Sequence, residues 1–211
     1  MPYGAAKGWS DRISGRQARE LHAADAFAGM IGHPLLHRVH LNWDRTALGD
    51  DADGTESAAY RARLARWLRH PDQGTHTLHA IYVRERPPGA SAKPNDHIHL
   101  HIPADLVERF PVAATDLLPR DAFPLGRKAV VVDPIGWTKS ARDGALVYLL
   151  KATAPGAARL IKKDGLLDIR HKPQGRVHGK RCGVTETLGR AARERHHAAL
   201  TEDKTTAALV A

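Results

Sequence analysis

Several features that define whole classes of protein are scarce or absent in this sequence. Cys182 is the single cysteine among 211 residues, which excludes an intrachain disulfide and a cysteine-based zinc knuckle. No apolar run approaches the roughly 20 residues that span a bilayer, and the start, MPYGAAKGWSDR, lacks the apolar segment of a signal peptide. We therefore expect a soluble, cytoplasmic protein with no membrane partner, in which any metal is held by histidine and carboxylate side chains.

Positive charge, by contrast, is in excess. The chain has 32 Lys and Arg against 23 Asp and Glu, a formal charge of +9. Such a balance is typical of a protein that binds a polyanion, and nucleic acid is the first candidate. The length suits one ordinary core with additional segments. We predict an N-terminal extension over residues 1–36, a central domain over 37–155 and a basic C-terminal extension over 156–211.

The hydrophobic pattern predicts an α+β fold. Alternating apolar residues indicate four strands, in the stretches HRVHLNWD, THTLHAIYVRER, NDHIHLHI and KAVVVDPI. Helical spacing indicates three helices, over Ser57 to Arg69, Ala104 to Leu118 and SARDGALVYLLKAT. The order of strand, helix, strand, strand, helix, strand and helix favours an antiparallel sheet with helices packed on it, in the ferredoxin-like or RRM-like manner.

Three histidines occupy every second position of the stretch NDHIHLHIPADL. They are His97, His99 and His101. Because side chains alternate between the two faces of a strand, these imidazoles project together, whereas the isoleucines and the leucine between them point into a core. The spacing is suited to binding a metal ion. A polar strand face that simply meets water is the alternative.

A second pair of chemically active residues lies on the helix SARDGALVYLLKAT. Tyr148 and Lys151 are three positions apart and share a helix face, while the neighbouring leucines can face the sheet. By itself this pair is typical of a half-buried tyrosine beside a surface lysine. Together with Glu85, at the end of one predicted strand, and the histidines of the next, it indicates one common site.

The pattern RERPPGASAKPNDHIHLHI followed by YLLK resembles the HUH endonucleases, a class named for His-hydrophobe-His. Within that class it is similar to the rolling-circle replication initiators of small plasmids and viruses. The resemblance covers about Val39 to Ala152. The later stretch GRVHGKRCGVTETLGRAAR is similar to the tails of bacterial replication-protein-like sequences.

This resemblance implies an HUH endonuclease fold and a role for each residue of the common site. Glu85, His97 and His99 match the ligands of a divalent metal, Mn or Mg. Tyr148 matches the nucleophile and Lys151 its partner in Tyr-x-x-Lys. The implied activity is metal-dependent nicking and strand transfer on single-stranded or origin DNA, through a covalent 5′-phosphotyrosine, by a catalytic domain over residues 37–155.

Two further features of the sequence concern the choice of metal ligands and the range of activities. His99 with His101 forms a rival histidine pair, although Pro103 closes the strand directly afterwards and leaves His97 and His99 more central. A Walker A glycine-lysine signature is absent, so we expect no helicase activity of the kind that larger initiators have.

Binding of DNA requires further residues. Six basic residues on the helices and the tail are predicted to contact phosphates: Arg66, Lys139, Arg176, Lys180, Arg181 and Arg190. Trp43 or Tyr82 could stack on an unpaired base, although an aromatic residue on a strand more often belongs to the core. Thr185 is a candidate N-cap for a helix in the tail.

Two other functions compete with this interpretation. The chain could be a non-catalytic nucleic-acid-binding relative of the same fold, because an intact set of residues indicates capacity rather than activity. A metal-storage or metal-sensing protein that uses the 14 histidines is less favoured, since most of them are dispersed along the sequence without a shared ligand spacing.

Overall fold

The computed structural model describes residues 9–49, 54–89, 93–122, 124–125 and 128–210. It has the predicted α+β class. Its strands are β1 (Trp9–Ser10), β2 (His37–Asn42), β3 (Ala80–Glu85), β4 (Asn95–Leu100), β5 (Val130–Pro134), β6 (Val177–His178) and β7 (Cys182–Val184). Its α-helices are α1 (Gly15–Met30), α2 (Thr55–Arg69), α3 (Phe110–Asp116), α4 (Lys139–Leu149), α5 (Pro155–Lys163) and α6 (Arg190–Val210).

Five strands form an antiparallel sheet in the order β5, β2, β4, β3, β7, while β1 and β6 pair separately. The predicted hairpin is present as β3 and β4. The predicted helix over residues 104–118 is shorter in the structure. A 3-10 turn covers Ala104–Leu106, and α3 begins only at Phe110, where Pro111 fits the first helical turn because its missing N–H has no partner there.

One face of the sheet, called here the apolar face, packs against α2 and α3. Its buried side chains come from the two central strands and the two helices: Val39, Leu41, Ile98, Leu100, Tyr60, Leu64 and Phe110. Burying a side chain of this size contributes about 1.5–3 kcal/mol. The buried carboxylate on this face, Asp96, accepts hydrogen bonds from Trp43 Nε1, at 2.6 Å, and from the Ser57 hydroxyl.

The opposite face, called here the histidine face, is covered by α1 and α4. Side chains of β3 and β4 alternate, so Ile81, Val83 and Glu85 lie on this face together with His97 and His99. The apolar members pack against leucines of both helices and against Phe27 of α1. The same strand therefore supplies an apolar surface to one helical layer and imidazoles to the other.

The segments predicted to be extensions take part in this core. Ile13 and the inner side of α1 are buried against the histidine face, and β7 adds an edge strand beside β3. Val177 and Leu188 are also buried. The reason is that the histidine face has apolar residues that need a cover, and α1 and the segment after residue 155 provide it.

Thr185 occupies the N-cap position of the 3-10 turn Glu186–Leu188 without a capping side-chain hydrogen bond, and the long helix α6 follows at Arg190. None of the helices in the described ranges is both long and apolar enough to cross a membrane.

Candidate active site

Glu85 and His97 meet on the histidine face. Glu85 pairs with Asn95 across the β3–β4 ladder and Val83 pairs with His97, so the carboxylate and the imidazole are diagonal neighbours on one face. His97 Nε2 lies 3.0 Å from Glu85 Oε2, where it donates a hydrogen bond to the carboxylate. The predicted convergence of these two residues is confirmed.

Tyr148 and Lys151 join this pair from above the sheet. Helix α4 begins after Thr138, whose side chain accepts from the Ala141 N–H. The helix ends at Leu149, and Lys151 lies in the following turn. Its Nζ is 2.6 Å from Glu85 Oε2 and 3.4 Å from the centre of the Tyr148 ring, a cation–π distance.

The tyrosine ring also packs against a histidine. Its centre is 5.7 Å from that of His97, with the two planes nearly perpendicular. Tyr148 is 43% exposed, so the ring is accessible although its neighbours Glu85, His97 and Lys151 are buried. Four of the five residues predicted for the common site are thus gathered in one place.

The fifth residue, His99, lies deeper. It is 3% exposed and is not among the residues that line the cavity beside Tyr148. Burial, followed by the nearby His97 and His40, lowers the pKa of His99 to about 3, so this imidazole is neutral at pH 7. Its role as a metal ligand stays a prediction.

A histidine that sequence reasoning did not select, His40, completes the cluster. It pairs with His97 across β2 and β4, and the Nδ1 atoms of the two rings are 2.5 Å apart. Burial and the neighbouring His97 lower the pKa of His40 to about 4. Alternation in HRVHLNWD places His40 opposite Val39 and Leu41, but the strand register that brings it to His97 is a tertiary property.

The Glu85 carboxylate is ionised at neutral pH. Burial acts to raise its pKa, but the hydrogen bond and charge of His97, together with the charge of Lys151, outweigh burial and lower it. A continuous hydrogen-bonded row therefore runs from Lys151 through Glu85 and His97 to His40. Such buried polar networks hold their members in a defined geometry.

These residues line an open cavity of about 440 Å³. Asn42, Lys172 and Gln174 extend its lining, and none of the three was predicted. The Lys172 N–H donates to the Lys151 carbonyl at 2.8 Å, so the segment after α5 forms one wall. The cavity is large enough for part of a nucleotide and has a positively charged rim at Lys172.

The candidate site contains carboxylate and imidazole groups that can act as ligands of a divalent metal ion. Within the residues that the structure describes, no three His, Cys, Asp or Glu side chains are arranged to hold a metal ion. Glu85 Oε1 is nevertheless buried without a hydrogen-bond partner. Glu85, His97 and His40 line one cavity and offer a carboxylate and two imidazoles, a donor set that suits such an ion. These three are the residues that would hold an ion at the cavity, while His99, which does not line it, stays a predicted ligand.

The predicted DNA contact at Arg181 is wrong. Its side chain is 1% exposed and donates to the carbonyls of Arg84 (3.3 Å), Ser10 (2.6 Å) and Gly175 (2.6 Å). A guanidinium has five donors in a rigid fork, so it can join three chain segments at once. Arg181 is a structural residue that ties the tail to β3.

The five other predicted phosphate contacts are exposed: Arg66, Lys139, Arg176, Lys180 and Arg190. They are spread over the molecule. Arg66 belongs to α2, on the opposite side of the sheet from the cavity, whereas Lys139 begins α4 and contacts Asp143 at 2.5 Å. Arg190 contacts Glu194 at 2.6 Å. Their contact with DNA stays a prediction.

The two aromatic candidates for base stacking belong to the core. Trp43 and Tyr82 are both buried against the apolar face. Trp137, which sequence reasoning passed over, is 78% exposed in the turn before α4. A tryptophan so exposed is unusual, which makes Trp137 a better stacking candidate than the two buried aromatic residues.

Comparison of the chain with models of protein families, with curated proteins and with solved structures found no match in any of the three.

Proposed function

We propose that this protein is a metal-dependent nickase and strand transferase for single-stranded DNA, of the kind that initiates rolling-circle replication of a plasmid or phage. The observation that carries the proposal is the exposed Tyr148 at an open cavity, with the Lys151 ammonium over its ring and the Glu85–His97 pair directly beneath. An exposed tyrosine in contact with a buried charged network is an arrangement expected of a nucleophile.

In the proposed reaction the Tyr148 hydroxyl oxygen attacks a backbone phosphorus. The bond from phosphorus to the 3′ oxygen breaks, which leaves a 5′-phosphotyrosine and a free 3′ hydroxyl. The phenol proton goes to water in the open cavity, and the leaving 3′ oxygen takes up a proton from water, so that no proton is gained or lost overall. Since a phosphoester bond replaces a phosphoester bond, the reverse attack by a 3′ hydroxyl rejoins a strand.

Electrostatics supports this assignment. A phosphodiester is negatively charged and resists a nucleophile, and a bound divalent ion such as Mn or Mg supplies charge stabilisation at a nonbridging oxygen. Lys151 contributes a fixed positive charge over the ring of the attacking tyrosine. Lys172 at the cavity wall and the net charge of +9 favour a polyanionic substrate.

The topology is consistent with the proposal. From β2 to β5 the elements follow the order β–α–β–β–α–β, with strand order β5, β2, β4, β3, which is the ferredoxin-like pattern. The His-hydrophobe-His strand β4 is central, and the helix with the tyrosine packs on the same face as His97. An HUH endonuclease fold is what this proposal expects of such a sheet.

The proposal is tested by incubating the protein with labelled single strands and Mn, then analysing the products on a denaturing gel. We expect a labelled band that survives denaturation and disappears with protease. Tyr148→Phe should abolish it completely while DNA binding is retained, because only the nucleophilic oxygen is lost and the ring still packs on Lys151. Lys151→Ala should slow adduct formation without abolishing it.

Tyr82→Phe is the matched control, since Tyr82 lies on the apolar face and its replacement should leave the adduct unchanged. An adduct that persists in Tyr148→Phe overturns the assignment of the nucleophile. Binding of single strands with no adduct in the wild-type protein identifies instead a non-catalytic nucleic-acid-binding protein.

A further inference from the structure

A second group of histidines lies at the other end of the histidine face, and we call it the second histidine cluster: His33, His79 and His101. The His101 N–H donates to the His79 carbonyl at 3.0 Å, so these two residues continue the β3–β4 ladder. The ring of His33, from the turn after α1, stacks on that of His79 at 4.4 Å and lies 4.9 Å from that of His101.

This cluster is separate from the candidate active site. His101 follows His97 by four residues along an extended chain, which corresponds to about 13 Å at about 3.3 Å per residue. None of its three histidines lines the cavity beside Tyr148. The three histidines are far apart in the sequence, so the sequence shows no metal-ligand spacing among them.

The ring nitrogens of the cluster are poorly satisfied. The Nδ1 atoms of His33 and His79 are buried and have no hydrogen-bond partner among the residues described. Leaving a buried polar group unpaired costs about 1–3 kcal/mol. His101 Nδ1 lies 3.2 Å from the Pro34 carbonyl, which must accept its proton. This bond leaves His101 Nε2 with a free lone pair, the arrangement by which proteins orient metal-binding histidines.

The protonation states also suit a ligand. Burial, followed by the nearby His33 and His101, lowers the pKa of His79 to about 4. Burial also lowers the pKa of His101 against the opposing effect of its bond to Pro34. Both rings are therefore neutral at pH 7, as metal binding requires. His76 also acts to lower the pKa of His101, and its Nε2 lies 3.8 Å from Asp105 Oδ2.

We propose that His33, His79 and His101 form a binding site for a divalent transition-metal cation of the zinc, nickel or copper class. Imidazole nitrogen suits these ions, whereas Mn and Mg prefer oxygen, so a site made only of imidazoles favours the former. In the described part of the chain the three rings are not already arranged around a metal position. Coordination therefore requires the stacked His33 ring to turn.

His33 lies in the turn that ends α1, and its N–H donates to the Ala28 carbonyl at 2.8 Å. Gly32, with φ of +79°, ends α1 in the left-handed conformation, and His33 follows it outside the helix. A metal held by His33 from this turn and by His79 and His101 from the ends of two strands would cross-link α1 to the sheet. Because the ion binds only the folded chain, it should raise the melting temperature.

The test uses untagged, full-length protein with Co²⁺ as a spectroscopic probe and Zn²⁺ as competitor. We expect a visible d–d absorption band on addition of Co²⁺ that Zn²⁺ removes, together with a rise in melting temperature. The double variant H79N/H101N should lower Co²⁺ affinity by at least about tenfold and lose the thermal shift. His33→Asn, in the turn outside the regular elements, should have the same effect with less risk to folding.

His70→Asn is the matched control, because His70 is exposed and lies at the end of α2; it should bind Co²⁺ like the wild type. His97→Asn should also retain the band, which separates this site from the proposed catalytic one. Adduct formation with Mn should persist in the His33→Asn variant. A wild-type protein without a band, a band unchanged in both cluster variants, or a band lost in His97→Asn overturns the proposal.

Discussion

The two faces of the central sheet are built from the same strands and have different roles. On β4, Ile98 and Leu100 point into the apolar face, while His97 and His99 point into the histidine face. Both faces are covered by two helices and both are buried. Both faces bury apolar side chains and so contribute to stability, but burial on the histidine face also sets the protonation state and the position of ionisable groups.

The polar groups of the two faces illustrate this difference. On the apolar face, the Asp96 carboxylate is held by Trp43 and Ser57, which are neutral donors. On the histidine face, the Glu85 carboxylate accepts from Lys151 and His97, groups that can gain or lose protons. The first arrangement has only neutral donors, while the second joins ionisable groups beside an accessible tyrosine.

Acid should separate the two faces with the largest effect. The pKa of His99 is lowered from 6.5 to about 3, chiefly by burial. Between these values the unfolded chain binds a proton at His99 and the folded chain does not. The contribution of His99 to the free energy of unfolding is therefore complete above pH 6.5. It decreases as the pH is lowered, by roughly 1.4 kcal/mol per pH unit. Urea denaturation at about pH 7, 6, 5 and 4 measures how the free energy of unfolding depends on pH.

The variant His99→Leu provides the comparison, because leucine is buried without a proton to bind. Its stability should depend less steeply on pH in the same range. An acid slope as steep as that of the wild type would show that other groups, and not this imidazole, determine the acid response.

A matched pair of substitutions on β4 tests directly whether the two faces of the sheet have different roles. Ile98→Ala on the apolar face should lower the free energy of unfolding by about 2–5 kcal/mol, because it leaves a cavity in a packed layer, while the folded variant still forms DNA adducts. His97→Ala should reduce adduct formation by about 100-fold or more, because it removes a residue that would hold the metal ion and that hydrogen-bonds Glu85. Denaturant titrations and single-turnover adduct assays on both variants measure the two effects.

Similar behaviour of the two variants would contradict the difference between the two faces. Equal loss of adduct formation in a folded Ile98→Ala protein would mean that packing on the apolar face positions the active site, and full activity in His97→Ala would remove that residue from the chemistry.

The smallest expected effect concerns DNA binding at Trp137. Replacing this exposed side chain with alanine should weaken binding of single strands by about 1–3 kcal/mol, the contribution of one stacked base, with no change in stability. Fluorescence anisotropy with a short labelled oligonucleotide measures it. Val112, which is 66% exposed on α3 beside the apolar face, supplies the control as Val112→Ala. Equal affinities of wild type and Trp137→Ala would exclude stacking at this position.

Local patterns were sufficient for much of the fold. Period-two alternation identified β2 to β5, and helical periodicity identified α2 and α4, because these signals depend only on neighbours in the chain. The same reasoning put Glu85, His97, Tyr148 and Lys151 in one site, which the structure brings together. Element ends were less accurate, as α3 shows, since the proline-containing turn before it follows tertiary packing.

The remainder depended on contacts between distant segments. Sequence alone determined the alternating faces of β4, the amphipathic helices, the excess of positive charge and the absence of a disulfide. Only the tertiary structure decided that His40 meets His97, that Arg181 is buried among three carbonyls, and that His33, His79 and His101 form a cluster. The physical reason is that strand register and helix docking are set by burial of apolar surface over the whole chain, and no short window of residues contains that information.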